Sequence, residues 1–386
     1  MKILTLSWEY PPRVVGGLAR HVTELSKAQV KAWDQIHVAT ANHPNTPAYE
    51  QMSGVHVHRV KNGMIDMNDF LNSIEYFNVG LFELGQSILM EGDFDVIHAH
   101  DWLVADSAIA LKKMFNLPLI VTMHATERGR WGGISNDIQR YINYKEWGIN
   151  YESARTIVCS YYMKRELENN FNLPSDKIHV IPNGVELDKF DITFDGQEFR
   201  RHFALDHEKI IMTMGRMVPE KGLHHLIDAI PEVLDNFPNA KFVIVGGGPQ
   251  KESLVNHVRH LGLRNKVHFP GKIDDLSLIR LLHVSDVAVY PSLYEPFGIV
   301  VLEAMACHLP VVVSDAGGLK EIVLHEQTGL TTFAGNPDSI AWGLLEILNN
   351  PDIAAWFANQ AYERLLTFFN WELIMEQTRN VYKEVI

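Results

Sequence analysis

The chain has 386 residues, enough for two ordinary domains that each bury a core of their own. Its 34 Lys and Arg against 47 Asp and Glu leave a net charge of −13, which argues against nucleic acid or an anionic membrane surface as a bulk partner. The two cysteines, Cys159 and Cys307, lie in apolar contexts, no apolar run is long enough to cross a bilayer, and MKILTLSWEYPP lacks the apolar core of a signal peptide, so a reduced, cytoplasmic, soluble protein is expected.

In chain order, the first half offers short apolar runs that read as strands: KILTLSW, IHVAT, VHVHRV, DVIHAH, LPLIVTMH, TIVCS and KIHVIPN. Helical stretches such as LARHVTELSKAQVKA and LVADSAIALKKMF separate most of them. Between the first strand and the first helix stands WEYPPRVVGG. Pro11 and Pro12 stiffen the chain there, and Gly16 and Gly17 let backbone N–H groups approach a phosphate or a sugar; a plain chain reversal would use the same glycines. DVIHAH ends in His98 and His100, and Asp101 follows it. That spacing hints at a metal, but no matching ligand set accompanies it, and hydrogen-bonded loop histidines with no metal are expected. His124 closes LPLIVTM and precedes a loop rich in Gly and Arg, Ala125 to Gly133, with Arg128, Arg130 and Trp131 within it.

A polar stretch with Pro and Asn-Gly, residues 181–196, marks the domain boundary. The rhythm then restarts with KIIMTMGR, KFVIVGGG, KVHFPG, VAVYPS, PVVVSD and GLTTF as strands. The alternation predicts an α/β chain with a parallel sheet in each half, helices on both faces, and ligands in the loops that follow strands, with the crevice between the halves as the default site. Two of those loops carry charge. After KIIMTM, Arg216 offers a fork for two oxygens and Lys221 a mobile cation, which together suit a diphosphate; the competing expectation is a surface ion pair with Glu220. After VAVYPS, Glu295 precedes Pro296 and so lies in loop, a helix starts near Gly298, and Glu303 falls about one and a half turns into it. An ionised Glu on so apolar a helix needs a partner. Gly246, Gly247 and Gly248 are followed by Pro249, which breaks the spacing of a dinucleotide loop.

The order GGL, then GR…EKG, then E-PFG-…-E resembles the retaining nucleotide-sugar glycosyltransferases of family four (group 1), in their glycogen- and starch-synthase-like branch. The resemblance covers essentially the whole chain. It implies a GT-B fold: two Rossmann-like domains facing each other across a cleft, residues 1–185 for the acceptor and 186–367 for the nucleotide sugar. Asn183-Gly184 would be the hinge, and a last helix, about 368–386, would cross back onto the first domain. Glu295 would contact the donor sugar as the main catalytic carboxylate, Glu303 the ribose, and Arg216 and Lys221 the leaving diphosphate, with Gly298 between the two carboxylates. Gly16 and Gly17 would bring backbone N–H groups to phosphate or sugar. His124 would bond the donor sugar, and Asp101 would stand at the sugar or acceptor end.

No cofactor or metal is implied. The substrates would be ADP-glucose or UDP-glucose and a sugar or α-glucan acceptor, with Trp131 to stack on a sugar ring, or Arg128 and Arg130 to receive an acidic one. Val14 and Arg20 stand where glucan synthases carry Lys and Asp, which keeps other acceptors open, including oligosaccharide, envelope polysaccharide and lipid. A non-catalytic relative, an epimerase or phosphorylase, and a nicotinamide oxidoreductase are the rival readings. The four charged side chains and the missing glycine fingerprint count against them.

Overall fold

The computed structural model describes residues 1–61 and 69–386. They form two compact units: Met1–Asn183 together with Trp371–Ile386, and Gly184–Asn370.

The first unit is built on β1 (Lys2–Ser7), β2 (Gln35–Thr40), β3 (Tyr49–Met52), β4 (Val55–Arg59), β5 (Val96–His100), β6 (Leu119–Met123), β7 (Arg155–Val158) and β8 (Ile178–Val180). Their order across the sheet is β3-β4-β2-β1-β5-β6-β7-β8. Every neighbouring pair is parallel except β3 and β4. Every residue of β5 and β6 is buried, which is why these strands read as continuous apolar runs rather than alternating ones. The edge strand β3 is the one strand the apolar pattern does not announce, since YEQM is short, polar and half exposed. The last helix, Trp371–Lys383, belongs to this unit and buries Ile374, Thr378, Val381 and Tyr382. Tyr382 is fully buried. Its hydroxyl accepts a hydrogen bond from Gln29 Nε2 at 3.0 Å and is bonded to His98 Nδ1 at 2.7 Å, so the helix docks through a polar pin as well as apolar contacts.

The second unit carries β9 (Lys209–Arg216), β10 (Ala240–Gly247), β11 (Val267–Gly271), β12 (Val287–Tyr290), β13 (Val311–Ser314) and β14 (Leu330–Thr332), all parallel. The order β11-β10-β9-β12-β13-β14 is that of a doubly wound Rossmann sheet. Helix Leu223–Asn236 shows why the sequence winds this way: Leu223, Leu226, Ile227, Ile230 and Val233 recur at helical spacing and are all buried. Pro231 sits within it without ending it. In each sheet the order reverses once near the middle, between β1 and β5 and between β9 and β12. Loops leaving those strands at their carboxyl ends splay apart and leave room for a ligand.

Candidate active site

In the second unit the reversal brings two charged loops together. Arg216 is the last residue of β9, and Lys221 ends the single helical turn Pro219–Lys221. Gly222 follows in a left-handed conformation, φ +62°, where an added Cβ would run into the carbonyl oxygen of Pro291. The loop after β12 is tied to this turn by Leu293 N–H and Tyr294 N–H, which both donate to the Glu220 carbonyl, at 2.8 and 3.2 Å. That tie sets Glu295 against Lys221: the Lys221 ammonium donates to Glu295 Oε2, as does Ser292 Oγ at 3.3 Å. Glu295 is 8% exposed, so its charge is held by a cation and a hydroxyl rather than by bulk water.

Arg216, Lys221, Ser292 and Glu295 line one pocket with Gly215 and Tyr290. The expected surface pair between Arg216 and Glu220 is only a long contact of 3.5 Å, and 46% of the Arg216 side chain faces solvent. Glu303 is the fifth residue of helix Ile299–Ala306 and is buried, which rules out a solvated carboxylate on an outer face. Gly298 caps that helix at φ +113°, with Leu319 Cδ2 only 2.8 Å from where a Cβ would stand. Neither Gly298 nor Glu303 lines the pocket that holds Glu295.

The reversal in the first unit is chemically different. The loop after β1 is occupied by its own carboxylate: Val15 N–H and Gly16 N–H donate to Glu9 Oε2 at 2.7 and 3.1 Å. The Gly16 amide, expected to face a phosphate or a sugar, is bonded to this buried side chain. Gly17 opens helix Gly17–Lys31 next to it. Burial raises the Glu9 carboxyl above its ordinary range, although both backbone N–H groups pull it down. Glu9 escapes a sequence reading because its neighbours WEY look like the end of a strand.

Asp101 adopts φ +61° at the end of β5 and accepts the backbone N–H of His124 at 2.7 Å. Burial pushes its carboxyl up to about 7, against the opposing pull of the His124 N–H and the Arg130 guanidinium. Arg130, Arg128 and Trp131 share the short helix Glu127–Trp131, capped by Thr126 Oγ1 accepting from Gly129 N–H at 3.0 Å. Arg128 and Trp131 face solvent, the latter 57% exposed, while Arg130 is half-buried.

Sequence spacing offered no set of histidines, yet the fold brings three of them together. His21 from helix Gly17–Lys31, His100 from the end of β5 and His124 just past β6 each turn one ring nitrogen to within 4.8 Å of the other two. Burial lowers His21 and His124 to about 3, with the neighbouring His124 adding to the effect on His21. It holds His98 and His100 well below the ordinary imidazole range. All four rings are therefore neutral at physiological pH. His98 is satisfied on both sides, by Tyr382 Oη and by Thr122 Oγ1, each at 2.7 Å. No periodicity could have foreseen this meeting, which depends on β1, β5 and β6 being neighbours.

Two parallel α/β units with charged loops at one reversal define a GT-B glycosyltransferase, and comparison with known proteins agrees. Residues 15–189 match the model of Glycosyltransferase Family 4 and residues 195–364 that of Glycosyl transferases group 1; the chain belongs to this family. It is 40% identical to an uncharacterized glycosyltransferase of Methanocaldococcus jannaschii, over 99% of this chain and 98% of that one. It is 34% identical to the glycogen synthase of Mycobacterium tuberculosis, over 99% and 94%. Among solved structures, the sucrose-phosphate synthase of Thermosynechococcus elongatus superposes with a TM-score of 0.86 at 25% identity, covering 99% of this chain and 98% of that one. Among the described residues, no helix is long and apolar enough to cross a membrane.

Proposed function

We propose that the protein is a retaining hexosyltransferase that moves glucose from a nucleoside diphosphate sugar, ADP-glucose or UDP-glucose, to a sugar or α-glucan acceptor. The observation that carries this reading is the Lys221–Glu295 pair beside Arg216 at the β9/β12 reversal. Transfer from such a donor expels a diphosphate, and two cations fixed beforehand beside the leaving group stabilise the developing charge without reorganising. In this scheme Lys221 and Arg216 meet the diphosphate, Glu295 orients the sugar hydroxyls, and Glu303 holds the ribose. Gly298 and Gly17 give the donor close backbone approach, and His124 bonds the sugar.

The acceptor oxygen bonds to the anomeric carbon on the face from which the diphosphate departs, as the bond from that carbon to the phosphate oxygen breaks; the departing phosphate oxygen takes the acceptor proton, and the anomeric configuration is retained. These roles call for no cofactor or metal. Asp101, Arg128, Arg130 and Trp131 form the acceptor side. The names of the glycogen synthase and sucrose-phosphate synthase relatives support glucose as the sugar. A second reading, an acceptor that carries a phosphate, is favoured by the outward-facing Arg128.

The test is nucleoside diphosphate release from ADP-glucose, UDP-glucose and GDP-mannose, each with and without maltooligosaccharide. Release from a glucose donor that rises with maltooligosaccharide and yields longer chains is the expected result. Release indifferent to the glucan moves the acceptor to the second reading. No release from any donor under any condition overturns the proposal.

A further inference from the structure

We propose that Glu146 is a positioning residue for acceptor binding, holding helix Glu127–Trp131 in place through the backbone N–H of Glu127, a role that rests on the acceptor reading of that helix. After β6 the backbone N–H groups find their partners in a fixed order. His124 N–H donates to Asp101 Oδ1 at 2.7 Å, and Ala125 N–H also bears on that carboxyl. Glu127 N–H donates to Glu146 Oε1 at 2.8 Å, and Gly129 N–H to Thr126 Oγ1 at 3.0 Å. The turn that leads from His124 to Arg128, Arg130 and Trp131 is therefore hung between two buried carboxyl groups, Asp101 at its start and Glu146 at the first residue of the helix.

Helix Glu127–Trp131 needs such a hold, because five residues make too few bonds of their own to stay helical in water. Its cap is tied as well: Thr126 Oγ1 donates to Glu166 on helix Tyr161–Phe171. Glu146 stands on the buried face of helix Asp137–Glu152, in the row Gln139, Ile142, Glu146 and Ile149, where helical spacing calls for an apolar residue. An ionisable side chain there, 1% exposed, calls for a reason, and the Glu127 N–H supplies it. The helix that carries Glu146 is itself anchored. Asn150 Nδ2 donates to the Glu146 carbonyl at 2.8 Å, and Asn150 Oδ1 accepts from Thr156 Oγ1 on β7 at 3.0 Å. Lys145 pairs with Asp106 at 2.6 Å, and Lys112 with Glu152 at 2.9 Å.

The surroundings say which form of the carboxyl does this. Glu146 Oε2 is buried with no hydrogen-bond partner among the described residues, so an ionised carboxylate would leave charge on an unsolvated oxygen. Burial raises the Glu146 carboxyl well above its ordinary range; Asp101 and Glu127 push the same way, against the Glu127 N–H and the Arg130 guanidinium. Glu146 therefore takes the N–H as a neutral acid. The role needs an acceptor oxygen at that place rather than a negative charge. Glutamine supplies one, and alanine does not.

The test compares Glu146→Gln and Glu146→Ala in the full chain. Hydrogen exchange of the peptide spanning residues 124–131, read by mass spectrometry, needs no substrate. Alanine should speed it about tenfold, and glutamine should leave it at the wild-type rate. Unchanged exchange in the alanine variant would overturn the proposal whatever the substrate proves to be. A wild type that releases no nucleoside diphosphate from any donor would overturn the function proposed above, and the exchange result would still decide this one. With maltooligosaccharide, Glu146→Ala should raise the acceptor KM about tenfold and leave donor hydrolysis without acceptor within about twofold; Glu146→Gln should restore both. Transfer and hydrolysis lost in equal proportion would mean a merely structural role. A glutamine variant as impaired as the alanine one would mean that the carboxyl works through its charge. Either result overturns the proposal. Should Glu146→Ala fail to fold, Glu146→Asp, which withdraws the oxygen by one methylene, takes its place with the same expectations.

Discussion

The two sheets share a reversal of strand order and put opposite chemistry at it. In the second unit the β9/β12 reversal carries formal charge: Lys221 on Glu295, with Arg216 half in solvent. In the first unit the β1/β5 reversal carries polar groups that burial has discharged or raised: four imidazoles held neutral, and the Asp101 carboxyl pushed up to about 7. The difference follows from solvent access. Cations at a rim stay hydrated until an anion replaces the water, whereas rings sunk in a dry sheet end must stay uncharged and can offer only lone pairs and N–H groups. Under the proposed function the charged end meets the diphosphate and the neutral end offers its lone pairs and N–H groups to sugar hydroxyls.

The contrast can be broken most severely at Glu295. Glu295→Ala should lower turnover about a thousandfold while circular dichroism and nucleotide affinity stay unchanged, because Lys221 regains water when its partner is lost. Near-normal turnover would take the chemistry away from the charged loops. Next, Lys221→Ala should lower kcat/KM about a hundredfold, and Arg216→Ala only about tenfold, as expected for one partly buried and one half-exposed cation facing the same anion. Steady-state kinetics in which Arg216 matters more would mean that the exposed guanidinium, not the Lys221–Glu295 pair, organises the donor.

The neutral half is sharpened by Asp101→Asn. The folded chain keeps on Asp101 a proton that the unfolded chain releases near pH 4, so the stability this group contributes at low pH is lost as pH rises to about 7. Asparagine does not titrate. Wild type should therefore lose ground to the variant between pH 4 and 7, by at most about 1.4 kcal/mol per pH unit, with a constant difference above pH 8. Denaturant unfolding at several pH values measures this, and a difference independent of pH would show that the carboxyl is hydrated. The smallest effect belongs to Trp131→Ala, which should raise the acceptor KM about fivefold and leave donor hydrolysis alone. A change in hydrolysis instead would move Trp131 from the acceptor to the donor.

Much of this was legible in the sequence, for reasons that lie in the residues. Buried parallel strands announce themselves as apolar runs, and the donor loops are punctuated locally: Gly222 after Lys221, Pro296 after Glu295, Gly298 at the helix start. The first unit hides more. The three histidines of its cluster stand 79 and 24 positions apart along the chain (His21 to His100, His100 to His124) and meet only through sheet order. Glu9 and Gly16 are near in sequence, yet nothing in their residue types says that the carboxylate will fill the loop before any ligand does. The contact of Lys221 with Glu295 could not be read from the sequence, because the two stand far apart along the chain and meet only through strand adjacency.

The last helix gives the protein an order of manufacture. Residues 184–370 form a continuous segment and can close their core as soon as they leave the ribosome. The first unit, though synthesised earlier, must wait with Gln29 and His98 lacking the Tyr382 hydroxyl until the final helix has been made. A message truncated before Trp371 would thus yield a finished second unit tethered to an unfinished first one. Surveillance by proteases would find the damage at the opposite end of the chain from the missing residues.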